Sequence, residues 1–124
     1  MRHIAVIDIG KTNAKLLSID LATGAETTIA RAPNAVRRDG PYPHHDADAL
    51  WSFLRGALAD LGKAHPVDAV SVTTHGAAAA LVDAQGRLTL PILDYEHDGP
   101  DSLPAYDGLR PPFAETGSPA CRWG

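Results

Sequence analysis

The sequence predicts an α/β domain on a mixed sheet, with the element order β-β-β-α-β-β. Three observations carry this. An apolar run from His3 to Ile9 is followed within a few residues by a second extended run, the spacing of an antiparallel hairpin. A stripe of leucines at helical spacing fills the stretch from Asp46 to Ala64. A run rich in β-branched residues, Val67 to Thr74, returns directly after it, as expected of a crossover that lays this strand parallel to the first.

Each element has its own local cause. His3 to Ile9 (HIAVIDI) is nearly continuous in apolar residues, the pattern of a strand covered on both faces, and Gly10 ends it. Ala14 to Leu21 is the second strand, with Asn13 at the turn between the two. After the turn Ala22-Thr23-Gly24, the partly polar Glu26 to Arg31 reads as a third strand nearer an edge. Pro33 to Pro43 is expected as a loop. Asp46 or Asp48 caps the helix, Leu50, Leu54, Leu58 and Leu61 form its buried stripe with Trp51 and Phe53 beside it in the core, and Gly62 and Pro66 stop it. Beyond Thr74, Ala78 to Asp83 is expected as a fifth strand and Leu88 to Leu93 as an irregular edge segment interrupted by Pro91.

Composition narrows the function classes. The chain has 124 residues and a net charge of -4, which does not suggest nucleic acid or an anionic membrane as a partner, since both need a basic face. Its single cysteine, Cys121, cannot form an internal disulfide. No apolar run reaches the roughly 18 residues of a membrane span, and a cytoplasmic location is expected. His44-His45-Asp46 holds no metal-ligand spacing, because adjacent side chains point apart, and reads as loop plus helix cap.

The sharpest chemical signal is Asp8-Ile-Gly-Lys-Thr-Asn-Ala-Lys15. A buried strand ends in a carboxylate and turns tightly into a strand that opens on a lysine. Gly10 lets the backbone approach a phosphate. Turn N–H groups around Thr12 and Asn13, with the Thr12 hydroxyl, can donate to phosphate oxygens. Lys11 or Lys15 supplies positive charge, and Asp8 can hold Mg²⁺ through water. The spacing fits neither a Walker A loop nor a dinucleotide fingerprint.

This stretch resembles the first phosphate motif of the actin-like ATPase superfamily, whose core is ribonuclease-H-like. A second block, Val70 to Asp98, resembles the FGGY carbohydrate kinases through Thr74-His75-Gly76, Asp83, Gly86, Pro91 and Tyr95. The Gly76–Asp83 spacing is similar to rhamnulokinase-like members, although those carry an aspartate where this chain has Ala78.

The resemblance implies an N-terminal kinase subdomain over residues 1–98 that binds ATP with Mg²⁺ and a ketose or deoxy-ketose. His75, Gly76, Tyr95, Glu96 and Asp98 would face the sugar. The resemblance also implies that the catalytic base, the second phosphate motif and the adenosine pocket belong to a C-terminal domain outside this sequence, so that the chain alone does not turn over. Residues 99–124 are expected to be irregular. The tail Ala-Cys-Arg-Trp-Gly at 120–124 departs from family sequence and matches a one-base shift of Arg-Leu-Pro-Val-Gly in GC-rich codons. Two other readings stay open: a type III pantothenate kinase-like protein, which the Thr74–Asp98 block argues against, and a non-catalytic nucleotide- or sugar-binding module.

Overall fold

The computed structural model describes residues 2–97 and 111–117. The chain divides into two compact units, Met1–Asp94 and Tyr95–Gly124. The first holds a four-stranded sheet built from β1 (His3–Ile9), β2 (Asn13–Asp20), β3 (Ala25–Pro33) and β6 (Ala69–Thr74), in the order β3-β2-β1-β6. β1 pairs antiparallel with β2, bringing Asp8 opposite Lys15, and parallel with β6, bringing Ile9 opposite Thr74. β2 and β3 pair antiparallel with a register shift at Leu16/Leu17.

Helix α1 (Ala47–Ala64) supplies the crossover between β3 and β6. Asp46 caps it through a 3.0 Å bond from the Ala49 N–H. The core forms where α1 lies on the sheet: Ala5, Ile7, Leu16, Leu54, Ala57 and Leu61 are buried together, with Leu50, Phe53 and Leu58 packed around them. Leu16 is fully buried, and burial of a side chain of that size is worth about 2 kcal/mol.

A second, three-stranded sheet has the order β4-β5-β7, from β4 (Val36–Arg37), β5 (His44–His45) and β7 (Ile92–Leu93). Several expectations are corrected here. The loop from Pro33 to Pro43 contains β4, and His44-His45 is a strand rather than loop. Ala78 to Asp83 is not a strand; its only ladder contact among the described residues is a single antiparallel bridge, Val82 to Leu88. Ala77 has a positive φ of 61°, which breaks the extended run after Gly76, and the alanines that follow offer little side-chain surface to pack on a sheet. Within Leu88 to Leu93, Leu88 makes that single bridge and only the two residues after Pro91 form a strand. Trp51 is not core: it is 59% exposed, because it sits on the solvent side of the Leu54–Leu61 stripe. In the second unit the described residues form one short helix, α2 (Phe113–Thr116), closed by Gly117 at φ 65°. The tail at 120–124 lies outside the described residues.

Candidate functional site

The parallel pair β1 and β6 delivers its two carboxyl ends to one edge of the sheet. In open α/β sheets ligands bind just beyond such ends. Here the juxtaposition is direct, since the His75 N–H donates to the Ile9 carbonyl at 2.9 Å. The phosphate-type turn and the His75-Gly76 pair, 65 positions apart between Gly10 and His75, thus share one edge.

The turn itself is tight. The Gly10 N–H donates to the Asn13 carbonyl at 2.8 Å, and a Cβ at Gly10 would sit 3.2 Å from that carbonyl oxygen. Thr12 is exposed, and its hydroxyl accepts a 2.8 Å bond from Asn13 Nδ2. Asp8 and Lys15 face each other across the hairpin with Nζ and Oδ2 3.3 Å apart, both about one-third exposed at 36% and 37%. In this arrangement the carboxylate and the ammonium neutralise each other. A Mg²⁺ drawn to Asp8 would compete for that carboxylate and release Lys15 toward phosphate oxygens. Among the described residues no three His, Cys, Asp or Glu side chains gather to hold a metal. Asp8 is the residue at this turn that could hold Mg²⁺, through water, as this ion is ordinarily held.

Lys11 is placed differently from Lys15. Its Nζ forms an ion pair with the buried Asp94, and its side chain is only 19% exposed. Lys11 therefore braces the turn against the segment after β7. His75 is half-buried, and its Nδ1 lies 3.0 Å from the Gly76 carbonyl. Tyr95 and Glu96 follow in a turn of the second unit, Tyr95 half-buried and Glu96 exposed. Asp98 lies outside the described residues.

Four residues at this edge were not anticipated from sequence. Asn34 is buried and clamps the turn twice, donating through Nδ2 to the Gly10 carbonyl and through its backbone N–H to the Thr12 carbonyl, both at 2.9 Å. Arg31, opposite Lys15 on β3, donates from Nε to Asn13 Oδ1 at 3.1 Å and adds a cation beside the turn. Asp94 is 4% exposed and receives Lys11. His45 is 6% exposed, and its ring centroid lies 5.5 Å from that of His75. Burial pushes the His45 imidazole below its ordinary pKa; Lys11, His75 and His44 push the same way, and Asp94 opposes them. An asparagine directly after the third strand was the one available signal for Asn34. His45, Asp94 and Lys11 meet only through tertiary contacts, so no local pattern reports them.

No protein-family model matches the chain. The chain is 29% identical over 98 residues to an L-fuculokinase of Salmonella typhi, an alignment covering 75% of this chain and 21% of that protein. A carbohydrate kinase from Novosphingobium aromaticivorans superposes with a TM-score of 0.78 at 37% identity, over 95% of this chain and 25% of that one. A xylulose kinase from Lactobacillus acidophilus shares the fold at 14% identity, with a TM-score of 0.61 over 75% of this chain and 19% of that one. In sequence and fold the chain is thus similar to part of these carbohydrate kinases, and it spans about a fifth to a quarter of their length. The relatives are sugar kinases, and hence phosphotransferases.

Proposed function

We propose that this chain forms the phosphate-binding and sugar-facing wall of an ATP-dependent carbohydrate kinase, which transfers the γ-phosphoryl group of ATP to a sugar hydroxyl. The observation that carries this is the meeting of the Asp8–Lys15 turn and His75 at the carboxyl ends of β1 and β6, joined by the His75-to-Ile9 bond. Phosphoryl transfer is mostly positioning and charge neutralisation. One edge that presents phosphate donors beside a hydroxyl-binding imidazole supplies both functions.

In this reading Asp8 manages Mg²⁺ through water. Gly10, Thr12, Asn13 and Lys15 cradle the phosphates, and Lys11 holds the turn in shape through Asp94 while adding to the local field. His75 can meet a sugar hydroxyl through the ring nitrogen that does not face the Gly76 carbonyl. Gly76 leaves room beside it, since a Cβ there would meet nothing within 4 Å. For Tyr95, Glu96 and Asp98 a sugar-facing role rests on the sequence resemblance alone. The acceptor class is a ketose or deoxy-ketose, consistent with the fuculokinase and xylulose kinase among the relatives. Residues 1–98 form the kinase subdomain. The general base and the adenosine pocket would come from a further domain, and the expected setting is cytoplasmic. Among the described residues no helix is long and apolar enough to cross a membrane.

The test is a titration of the isotope-labelled chain with Mg-ATP, followed by NMR. Amide signals from Gly10 to Lys15 should move. Lys15→Met should weaken the effect roughly tenfold or more, about 1.4 kcal/mol. The chain alone should show no sugar phosphorylation in a coupled assay. Turnover by the wild-type chain, or Mg-ATP shifts confined to residues away from the turn, would refute this assignment.

A further inference from the structure

The turn between β1 and β2 leaves two side chains whose polarity its backbone does not decide. The main chain there is held: the Gly10 N–H donates to the Asn13 carbonyl at 2.8 Å, and Asn34 bonds the Gly10 and Thr12 carbonyls, each at 2.9 Å. What remains is the Thr12 hydroxyl, which can give or take a hydrogen bond, and the Asn13 side-chain amide, which can present its oxygen or its nitrogen. The two are bonded to each other, with Asn13 Nδ2 2.8 Å from the Thr12 oxygen. The way the amide faces therefore sets the way the hydroxyl proton points.

Arg31 makes that choice. On β3 it lies directly opposite Lys15, and like charges so placed repel. The two side chains diverge: Lys15 Nζ lies 3.3 Å from Asp8 Oδ2 on β1, and Arg31 Nε donates to Asn13 Oδ1 at 3.1 Å. A guanidinium is donor only, so the amide turns its oxygen to Arg31 and its nitrogen to Thr12. The Thr12 oxygen then accepts, and its own proton stays available to an acceptor beyond the turn. With the amide reversed, the hydroxyl would give its proton to Asn13 and show lone pairs instead, which repel a phosphate oxygen. Thr12 is exposed, so a ligand can reach its hydroxyl.

We propose that Arg31 is a positioning residue: through the Asn13 amide it commits the Thr12 hydroxyl to donate outward, and so sets the turn for the anionic oxygens of a phosphate chain. This rests on the phosphate-cradling role given above to Thr12. Arg31 need not touch the ligand. Its effect passes along three side chains, from β3 to the start of β2 to the turn.

The experiment has two readouts on the full chain. The first needs no ligand: NMR follows the side-chain NH2 signals of Asn13. Arg31→Met should shift them, and Arg31→Lys, which keeps a donor-only cation, should shift them less. The second is a double-mutant cycle on Mg-ATP affinity, built from Arg31→Met and Thr12→Val and read from the amide shifts of the turn. Each single change should weaken binding roughly tenfold, the scale of one hydrogen bond to a charged group. In the Thr12→Val background, Arg31→Met should weaken it only about twofold, the worth of an exposed charge alone. Both positions are exposed, so the variants should unfold at nearly the wild-type denaturant concentration.

If Mg-ATP moves the wild-type turn but Arg31→Met costs the same with and without the Thr12 hydroxyl, Arg31 acts by its charge alone; the proposal is overturned and the phosphate reading stands. Asn13 signals indifferent to Arg31→Met overturn it as well. If Mg-ATP leaves the wild-type turn unmoved, the phosphate reading fails, and the proposal falls with it because the outward donor has no phosphate to meet.

Discussion

At Lys11 a single ammonium joins two parts of the chain that lie 83 positions apart. Because Asp94 is almost completely buried, removing the lysine takes a cation away from an interior carboxylate, a larger effect than losing a surface pair. Lys11→Met should cost about 3 kcal/mol in denaturant unfolding. Lys63→Ala, which breaks the exposed Lys63–Asp60 pair, should change nothing measurable. Ala77 works in the opposite direction. Its φ of 61° is a left-handed conformation that costs an L-residue about 1 kcal/mol, so Ala77→Gly should raise stability by a comparable amount.

His45 sets the acid limb of stability. Its folded pKa lies below the ordinary 6.5, so below that value the unfolded chain binds more protons than the folded one. Stability should therefore be flat above about 6.5 and fall progressively as pH drops from there toward the folded value. A second decline should begin lower, below the ordinary 3.8 of aspartate, as Asp20 and Asp39, each held down to about 2 by an arginine, lose their partners. Urea midpoints across a pH series would separate the two, and His45→Gln should abolish the first while leaving the second.

At the scale of elements, the hairpin, the crossover helix and the returning strand are where sequence pattern and structure agree, because each is set locally. The Asp8–Lys15 turn is punctuated by Gly10 and Asn13, and α1 by Asp46 and the leucine stripe. Leu54→Ala should confirm the stripe by costing about 3 kcal/mol, since Leu54 is 3% exposed beneath the helix; Trp51→Ala on its outer face should cost little. Legibility fails where strands are two residues long. Nothing local marks Val36–Arg37, His44–His45 or Ile92–Leu93 as partners, because their pairing depends on the Lys11–Asp94 brace and the Pro43 carbonyl. The apolar Leu81 and Val82 mislead in the other direction: their composition suits a strand, but the turn at Ala77 takes them away from the edge of β6. For the same reason the tight turn between β1 and β2 and the end of β6 at Thr74 could be read from sequence, whereas the placement of Asn34, Asp94 and His45 beside them could not.

Across the whole molecule the β6 edge is the feature that pattern and packing leave unbalanced. Val70 pairs with Ala5 and Val72 with Ile7, so these valines share the sheet face on which α1 forms the core. Helix α1 packs over β2 and β3 and shares the core with Ala5 and Ile7 of β1, yet Val70 and Val72 remain 53% and 61% exposed. Apolar side chains on a core-facing surface, beside a strand whose outer edge has no ladder partner among the described residues, are the ordinary signature of an interaction surface. The isolated chain should therefore self-associate as its concentration rises. Sedimentation velocity would detect this as a concentration-dependent increase in mass. Val70→Thr with Val72→Thr keeps the β-branched shape that strands favour and removes the apolar surface. Because both side chains are already more than half exposed, the double variant should unfold at nearly the wild-type denaturant concentration while sedimenting as a monomer. If it associates as strongly as wild type, the contact lies elsewhere; if its stability falls sharply, the two valines are packed in the folded chain and the α1 face is already closed.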